Sequence, residues 1–342
     1  MFVLWLTWKG VFTRINCKML NERAVFIGNE SELELIKENL KDSKLINSKS
    51  DVAWLNQDIT LSEIKNEILP YGLVFIGSSM KEKKKSDILY YAMKQKKSAY
   101  MIPNTNDLFI MNTSFTTVGD TMMLEVKPFE LTTGQMLAKR ILDVAISALL
   151  LVITLPIMIS AALAIKLEDG GPFFFKQERV GQGHKPFHIL KFRSMIIDAE
   201  AKTGPVLAKS ADSRITKVGK FIRRTRIDEL PQLFNVLKGD MSLVGPRPER
   251  EYFAKKFEKE NKWFYYRNSV KPGITGYAQV LGFYTTSADA KLKFDLYYIR
   301  HYSIWLDIVL LFRTVLVVLN KTQAEGQQEK VAKQTIFKRA KA

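Results

Sequence analysis

From Asp143 to Lys166 the chain reads DVAISALLLVITLPIMISAALAIK, about 22 consecutive residues without a charge and with Pro156 near the middle. A run of that length is long enough to cross a bilayer as a helix, so the fold must give it an apolar environment. Two features weigh against a simple span. Pro156 removes a backbone hydrogen bond and kinks a helix. Basic residues flank both ends, Lys139 and Arg140 before the run and Lys166, Lys176 and Arg179 after it, and such flanks belong on the cytoplasmic side. A helix over 139–167 that enters one leaflet, breaks at Pro156 and returns meets both facts, with Thr154 helping to satisfy backbone groups freed at the break. A proline-kinked full span and a buried core helix are the open alternatives.

The charge balance bears on partners. Lysine and arginine number 52 against 35 acidic residues, a formal net charge of +17, which calls for nucleic acid, anionic lipid or clustered phosphates. No nucleic-acid-binding module is recognisable. The lysines accompany membrane-type aromatics, as in FAKKFEKENKWFYYRNSV at 253–270, which reads as an interfacial helix or an ordinary core helix. Lipid headgroups are therefore the expected partner, and nucleic acid is not. SIWLDIVLLFRTVLVVL at 303–319 is apolar but carries Asp307 and Arg313, placing it in the interface or against the core. The single cysteine, Cys17, excludes an internal disulfide and fits a reducing compartment. The opening MFVLWLTWKG is too short to span and lacks the marks of a signal peptide.

Between residues 20 and 125 short β-like runs (AVFIG, DVAWL, YGLVFIG, SAYMIP) alternate with polar helical stretches, which predicts βαβ units and a parallel sheet. The first turn, IGNESELE, keeps only Gly28 where a dinucleotide site wants G-x-G-x-x-G. The expected organisation is a short apolar segment at 1–19 and a degenerate Rossmann-like, CoA-binding-like α/β domain at 20–130. A mainly α-helical, membrane-associated α+β domain follows at 136–320, then a basic, disordered tail at 321–342.

RRTRIDELPQLFNVLKGDMSLVGPRPER, residues 223–250, sets Asp228 and Glu229 among arginines 223, 224, 226 and 247. Leu230, Leu233, Phe234 and Leu237 recur at helical spacing, and Pro231 is tolerated only in a first turn, so a helix is expected to start at Asp228. There Asp228 would cap a helix N-terminus that favours a phosphate beside it. An ordinary aspartate is ionised at neutral pH and is ready as a nucleophile. Attack on a pyrophosphate needs cations to neutralise the growing charge, which the arginines supply, and a carboxylate pair suits Mg²⁺. A helix-capping aspartate with surface ion pairs is the plainer reading of the same spacing.

The stretches KRILDVAISALLL, FFFKQERVGQGHKPFHILKFRSM, DSRITKVGKFIRRTRIDELPQLFNVLKGDMSLVGPRPER, VKPGITGYAQV and KLKFDLYYIRHYSIWLDIVLL occur in one order. They resemble the catalytic domain of bacterial polyprenyl-phosphate sugar-phosphate transferases, the monotopic phosphoglycosyl transferases that initiate exopolysaccharide, capsule or O-antigen units. The resemblance implies that Asp228 takes the sugar phosphate from a UDP-sugar, releasing UMP, and that polyprenyl phosphate then attacks the covalent intermediate. It makes Glu229 the second acid of the dyad, in metal binding or in deprotonating the lipid phosphate, with Mg²⁺ held by Asp228 and Glu229. Arg223, Arg247 with its neighbours Pro246 and Pro248, and Lys191 with Arg193 of KFRSM form the implied substrate-binding set. The implied location is the cytoplasmic face of the bacterial inner membrane, with homo-oligomerisation and polysaccharide-assembly proteins as further partner expectations. The chain departs from the family pattern at Phe283, where an arginine is common, and at Leu155-Pro156, where Ser-Pro is common. It also lacks the spanning helices that larger relatives carry upstream, and so reads as a shortened form. The competing expectation, from another class, is a non-catalytic membrane scaffold for polysaccharide assembly.

Overall fold

The computed structural model describes residues 23–41, 52–111, 113–197, 199, 212–282 and 287–319. The opening segment 1–19 with Cys17, Phe283 and the tail from 321 lie outside them. The chain divides into two compact units, Met1–Asp107 and Leu108–Ala342.

The first unit carries β1 (Ala24–Gly28), α1 (Glu30–Lys41), β2 (Val52–Asn56), α2 (Leu61–Glu67), β3 (Leu73–Ile76), α3 (Glu82–Lys94) and β4 (Ser98–Met101). Its four strands are all parallel, in the order β2-β1-β3-β4. The central strands β1 and β3 are apolar and buried at every position, as expected of strands covered on both faces. Alternate residues feed opposite faces: Ala24, Phe26, Leu73 and Phe75 pack with Leu33, while Val25, Ile27, Val74 and Ile76 pack with Ile64, Ile68 and Ile88. At the carboxyl ends of β1 and β3, where such sheets take ligand phosphates, the chain has placed a carboxylate of its own. Glu32 accepts bonds from the Ser78 backbone N–H (3.1 Å), the Ser78 hydroxyl (2.5 Å) and the Ser79 hydroxyl (3.1 Å). A Cβ on Gly77 would lie 2.3 Å from that carboxylate.

The helix α4 (Thr105–Ile110) bridges the boundary. Residues 108–130 belong with the second unit because Leu108, Phe109 and Phe129 pack into its core beside Trp263 and Tyr266. After the hairpin β5 (Ser114–Val118) and β6 (Thr121–Glu125) comes α5 (Thr133–Asp169). The antiparallel pair β7 (Phe174–Val180) and β8 (Pro186–Phe192) follows, then α6 (Lys217–Arg224), a 3-10 turn at Ile227–Glu229 and α7 (Gln232–Lys238). The strands β9 (Ser242–Val244) and β10 (Gly273–Thr275) pair in parallel around α8 (Glu251–Glu260) and a 3-10 stretch at Lys262–Ser269. Last come α9 (Tyr277–Leu281), α10 (Ala288–Arg300) and α11 (Ile304–Leu319). In 253–270 the aromatics Phe257, Trp263, Phe264 and Tyr266 turn into the core, so the segment follows the core-helix alternative, with Tyr265 its exposed ring.

The apolar run lies within α5, 37 residues from a Thr132–Gln135 capping box to Gly170, whose φ of 72° ends the helix in the left-handed region. Helical bonding continues past Pro156. The Thr154 hydroxyl donates to the Leu150 carbonyl at 2.7 Å, whereas the carbonyl that Pro156 leaves without an N–H partner is that of Val152; Thr154 thus does not fill the predicted role. Such back-bonding from threonine bends helices instead.

One face of α5 is tied to the second unit along its whole length. Near the start, Lys139 pairs with Asp307 (2.5 Å), Arg140 donates to the Val236 and Leu237 carbonyls (2.6 and 2.7 Å), and Asp143 accepts from the Ser242 hydroxyl and the Leu243 N–H (both 3.0 Å). Near the end, Met158, Ala161 and Ile165 pack with Phe192 and Ile222. Glu168 then accepts from the backbone N–H groups of Lys217 and Val218, and Asp169 pairs with Arg193. The opposite face exposes Leu149, Val152, Ile153, Ile159, Leu163 and Leu167, and α11 likewise exposes Trp305, Phe312, Val315 and Leu316.

Candidate active site

A cavity of about 1330 Å³ opens in the second unit. One wall is apolar: Ile146 and Leu150 of α5 face Leu311, Phe312, Val315 and Val318 of α11. The other is polar and carries Lys191, Arg193, Arg223, Arg226, Asp228, Glu229 and Arg247. The structure therefore gathers at one place the sequence-predicted acids and cations, from Lys191 on β8 to Arg247 beyond β9, except Arg224, which is exposed and does not line the cavity. Pro246 and Pro248 are buried and do not line the cavity. Their carbonyls accept from Gly273 N–H (2.9 Å) and Arg179 (3.1 Å), so they shape the loop that presents Arg247 rather than touch a ligand.

Local structure sets the acidic pair. Arg226, at φ 60°, turns the chain sharply between α6 and the 3-10 turn that holds Asp228 and Glu229, a conformation non-glycine residues adopt at some cost. The helix that follows begins at Gln232, with Pro231 in the capping position and no capping bond from a side chain. Asp228 is therefore not the helix cap the periodicity predicted, because a tighter turn and a proline intervene. Asn235 of α7 bonds the β8 backbone on both sides, accepting from Leu190 N–H (2.9 Å) and donating to the His188 carbonyl (2.8 Å). That clamp sets Lys191 opposite the acids.

The two acids differ in their surroundings. Lys191 and Arg247 both reach Oε1 of Glu229, at 2.9 and 3.0 Å. Burial would raise the Glu229 carboxyl, but Arg247 and Lys191 outweigh it and hold it below the ordinary carboxylate range. Burial lowers Lys191 despite its acidic neighbours. Asp228 has no such partner: Oδ1 is shut from solvent without a hydrogen bond among the described residues. Burial, reinforced by the Glu229 charge, pushes its pKa up to about 6 against the pull of Lys191, Arg226 and Arg223. The aspartate is thus not the unperturbed acid the sequence implied, yet at pH 7 about nine-tenths of it is ionised. An ionised, buried oxygen without a partner is a reactive group awaiting an electrophile or a cation.

Sequence reasoning assigned no role to three other cavity residues. Arg267 donates to Asp295 (2.8 and 3.1 Å) and to the Arg247 carbonyl (2.9 Å), so this buried pair braces the Pro-Arg-Pro loop. Burial raises Asp295 to about 6 even against Arg267. Gln279 lines the cavity with both side-chain amide atoms buried and unpartnered among the described residues. No local pattern links Arg267 to Asp295, 28 positions apart; Gln279 lay within a matched motif, GYAQV, as an unremarked polar letter.

Comparison with known proteins places this region. A family model described as "Bacterial sugar transferase" matches residues 134–321. Over 184 residues (53% of this chain, 43% of the relative) the chain is 47% identical to the UDP-N-acetylgalactosamine-undecaprenyl-phosphate N-acetylgalactosaminephosphotransferase of Aeromonas hydrophila. It is 36% identical over 231 residues (66% and 48%) to a UDP-glucose:undecaprenyl-phosphate glucose-1-phosphate transferase of Xanthomonas campestris pv. campestris. A Klebsiella pneumoniae protein of that same name is 42% identical over 185 residues (53% and 40%). The chain thus covers under half the length of each of these curated relatives.

Proposed function

Because the chain belongs to the bacterial sugar transferase family, we propose that its second unit moves a sugar 1-phosphate from a UDP-sugar to polyprenyl phosphate through an aspartyl-phosphosugar on Asp228. One observation carries this reading: of the two cavity acids, Glu229 is held by two cations while Asp228 keeps a buried oxygen without a partner among the described residues. In the first step an Asp228 oxygen attacks the sugar-bearing phosphorus, the pyrophosphate P–O bond breaks and UMP leaves with its electron pair. In the second a polyprenyl phosphate oxygen attacks the same phosphorus, the acyl-phosphate P–O bond breaks and the Asp228 carboxylate is restored. Neither step needs a net proton. Lys191, Arg223, Arg226 and Arg247 supply the positive field for the crowded oxygens. Splitting the transfer in two lets the water-soluble UMP leave before a lipid acceptor arrives at the apolar wall.

Two adjacent carboxylates, one with an unpartnered oxygen, form a donor set that fits Mg²⁺ completed by water and substrate phosphate. Asp228 and Glu229 would hold it, and it would supply further neutralisation of the phosphates. For the membrane, what supports a re-entrant or in-plane α5 is that Arg140 at one end and Glu168 at the other bond backbone of the same folded unit, which a full span would place on opposite sides of the bilayer. We place the protein on the cytoplasmic leaflet of the inner membrane, opening an exopolysaccharide, capsule or O-antigen unit. The first unit reads as a Rossmann-like sheet whose phosphate position is taken by Glu32.

The test is UMP release from a panel of UDP-sugars, N-acetylgalactosamine and glucose donors included, with intact-protein mass spectrometry. With donor alone, the wild type is expected to release about one equivalent of UMP and gain a sugar-phosphate mass at residue 228, and Asp228→Asn to do neither. Turnover by Asp228→Asn at the wild-type rate would sink the mechanism.

A further inference from the structure

We propose that Gln279 reads the uracil ring of the donor nucleotide. Buried polar atoms without a partner are rare because each costs its desolvation, and those that persist at a cavity are satisfied by what binds there. Nε2 and Oε1 of Gln279 are both shut from solvent with no bond among the described residues, and the side chain lines the cavity that holds Asp228.

Its place in the fold names the ligand group. The strands β9 and β10 run parallel in register, Ser242 beside Gly273 and Val244 beside Thr275, so their carboxyl ends emerge side by side. Arg247 leaves three residues past the end of β9 and Gln279 four residues past the end of β10. The two turns are locked together: Gly245 N–H donates to the Thr275 carbonyl (2.8 Å), and a Cβ on Gly276 would meet the Gly245 carbonyl at 2.2 Å. Arg247 and Gln279 thus leave adjacent strand ends and line the same cavity.

A primary amide presents a donor next to an acceptor, whichever way the group is turned. The matching edge is an N–H beside a C=O in one ring, as at N3–H and a carbonyl of uracil, which satisfies both atoms at once. The acetamido group of an N-acetyl sugar, the other amide in a candidate donor, carries its N–H and C=O on opposite sides and leaves one Gln279 atom unpaired. Uracil is therefore the better fit.

This inference rests on the proposed use of a UDP-sugar, and the test separates the two. Full-length protein in nanodiscs is assayed for UMP release from UDP-N-acetylgalactosamine and UDP-glucose, and UMP binding is measured by calorimetry without turnover. Gln279→Met keeps the length and removes both polar atoms; its melting temperature should equal or exceed that of the wild type, since no existing bond is lost. Two lost hydrogen bonds in a buried site predict a KM raised about ten- to hundredfold for both donors with kcat nearly unchanged, and UMP binding weakened by the same factor. A loss confined to the N-acetylated donor would assign Gln279 to the sugar and overturn the proposal, as would unchanged UMP affinity. Wild-type protein that binds UMP in a Gln279-dependent way yet consumes no UDP-sugar would retain the base site and reject the donor.

Discussion

The burial of the Asp228 carboxyl, on which its proposed role as nucleophile rests, should also weaken the fold by an amount that follows from its pKa. Burial first, and the charge of Glu229 second, raise its pKa from 3.8 to about 6, roughly 2.2 units, and each unit corresponds to about 1.4 kcal/mol. Because the folded pKa lies above the unfolded one, the folded state holds the proton more tightly. Ionisation therefore costs stability that is absent below about pH 4 and complete above about pH 6, where it reaches about 3 kcal/mol. Solvent reaching the partly open cavity screens part of this, leaving about 1.5–3 kcal/mol. Asp228→Asn removes the charge at nearly constant shape, so at pH 7.5 it should stabilise the second unit by that amount, about 3–12 °C in melting temperature for a domain of this size. The assay is thermal unfolding of both proteins in matched nanodiscs from pH 4.5 to 8. The gap should open as pH rises through 4 to 6 and stay level above it. An Asp228→Asn variant no more stable than the wild type at pH 7.5, or a gap independent of pH, would refute the claim that this oxygen is buried and uncompensated.

The same ionisation predicts an acid limb in the first half-reaction. With donor alone, the rate of UMP release should be level above about pH 7 and fall about tenfold per unit below the Asp228 pKa near 6; a limb centred near 4 would mean an unperturbed carboxyl. Topology has its own check. In a Cys17→Ser background, Leu137→Cys and Leu167→Cys, both exposed near opposite ends of α5, should react with an impermeant thiol reagent from the same side of sealed vesicles, and labelling from opposite sides would establish a span.

How much of this could be read from the letters follows from what each signal measures. Local patterns carried far: the buried strands AVFIG and LVFI announce themselves as continuous apolar runs, and the acidic pair, the Pro-Arg-Pro loop and Lys191 do converge on one cavity. Periodicity failed at Asp228 because it cannot separate a 3-10 turn from the first turn of an α-helix when a proline follows. It also could not tell aromatics that face lipid from aromatics that face a core, as Phe257 and Phe264 show. Pairings between distant segments left no trace in sequence at all. Asp307 looked like a flaw in an apolar helix, and its meaning lies 168 residues away in Lys139.

That pair shows why a domain at a lipid boundary carries charge inside. The helices α5 and α11 are apolar on the faces they turn outward, and lipid offers such faces no preferred register, since sliding one helix along the other exchanges like for like. A buried ion pair adds little net stability, but it is strongly disfavoured in any other alignment, because either partner alone would be an uncompensated charge. Lys139 meets Asp307, whose other oxygen takes the Tyr298 hydroxyl at 2.7 Å, and that same hydroxyl lies 3.3 Å from the Val244 carbonyl at the end of β9. One residue further along, Gly245 opens the loop that carries Arg247. The register of the helices that form the apolar wall is thus fixed by the Lys139–Asp307–Tyr298 bonds, which contact the strand end from which the loop of Arg247 leaves. The apolar wall and the phosphate-binding cations of the cavity are held in a constant relation, as the proposed two-step transfer at a single phosphorus would require.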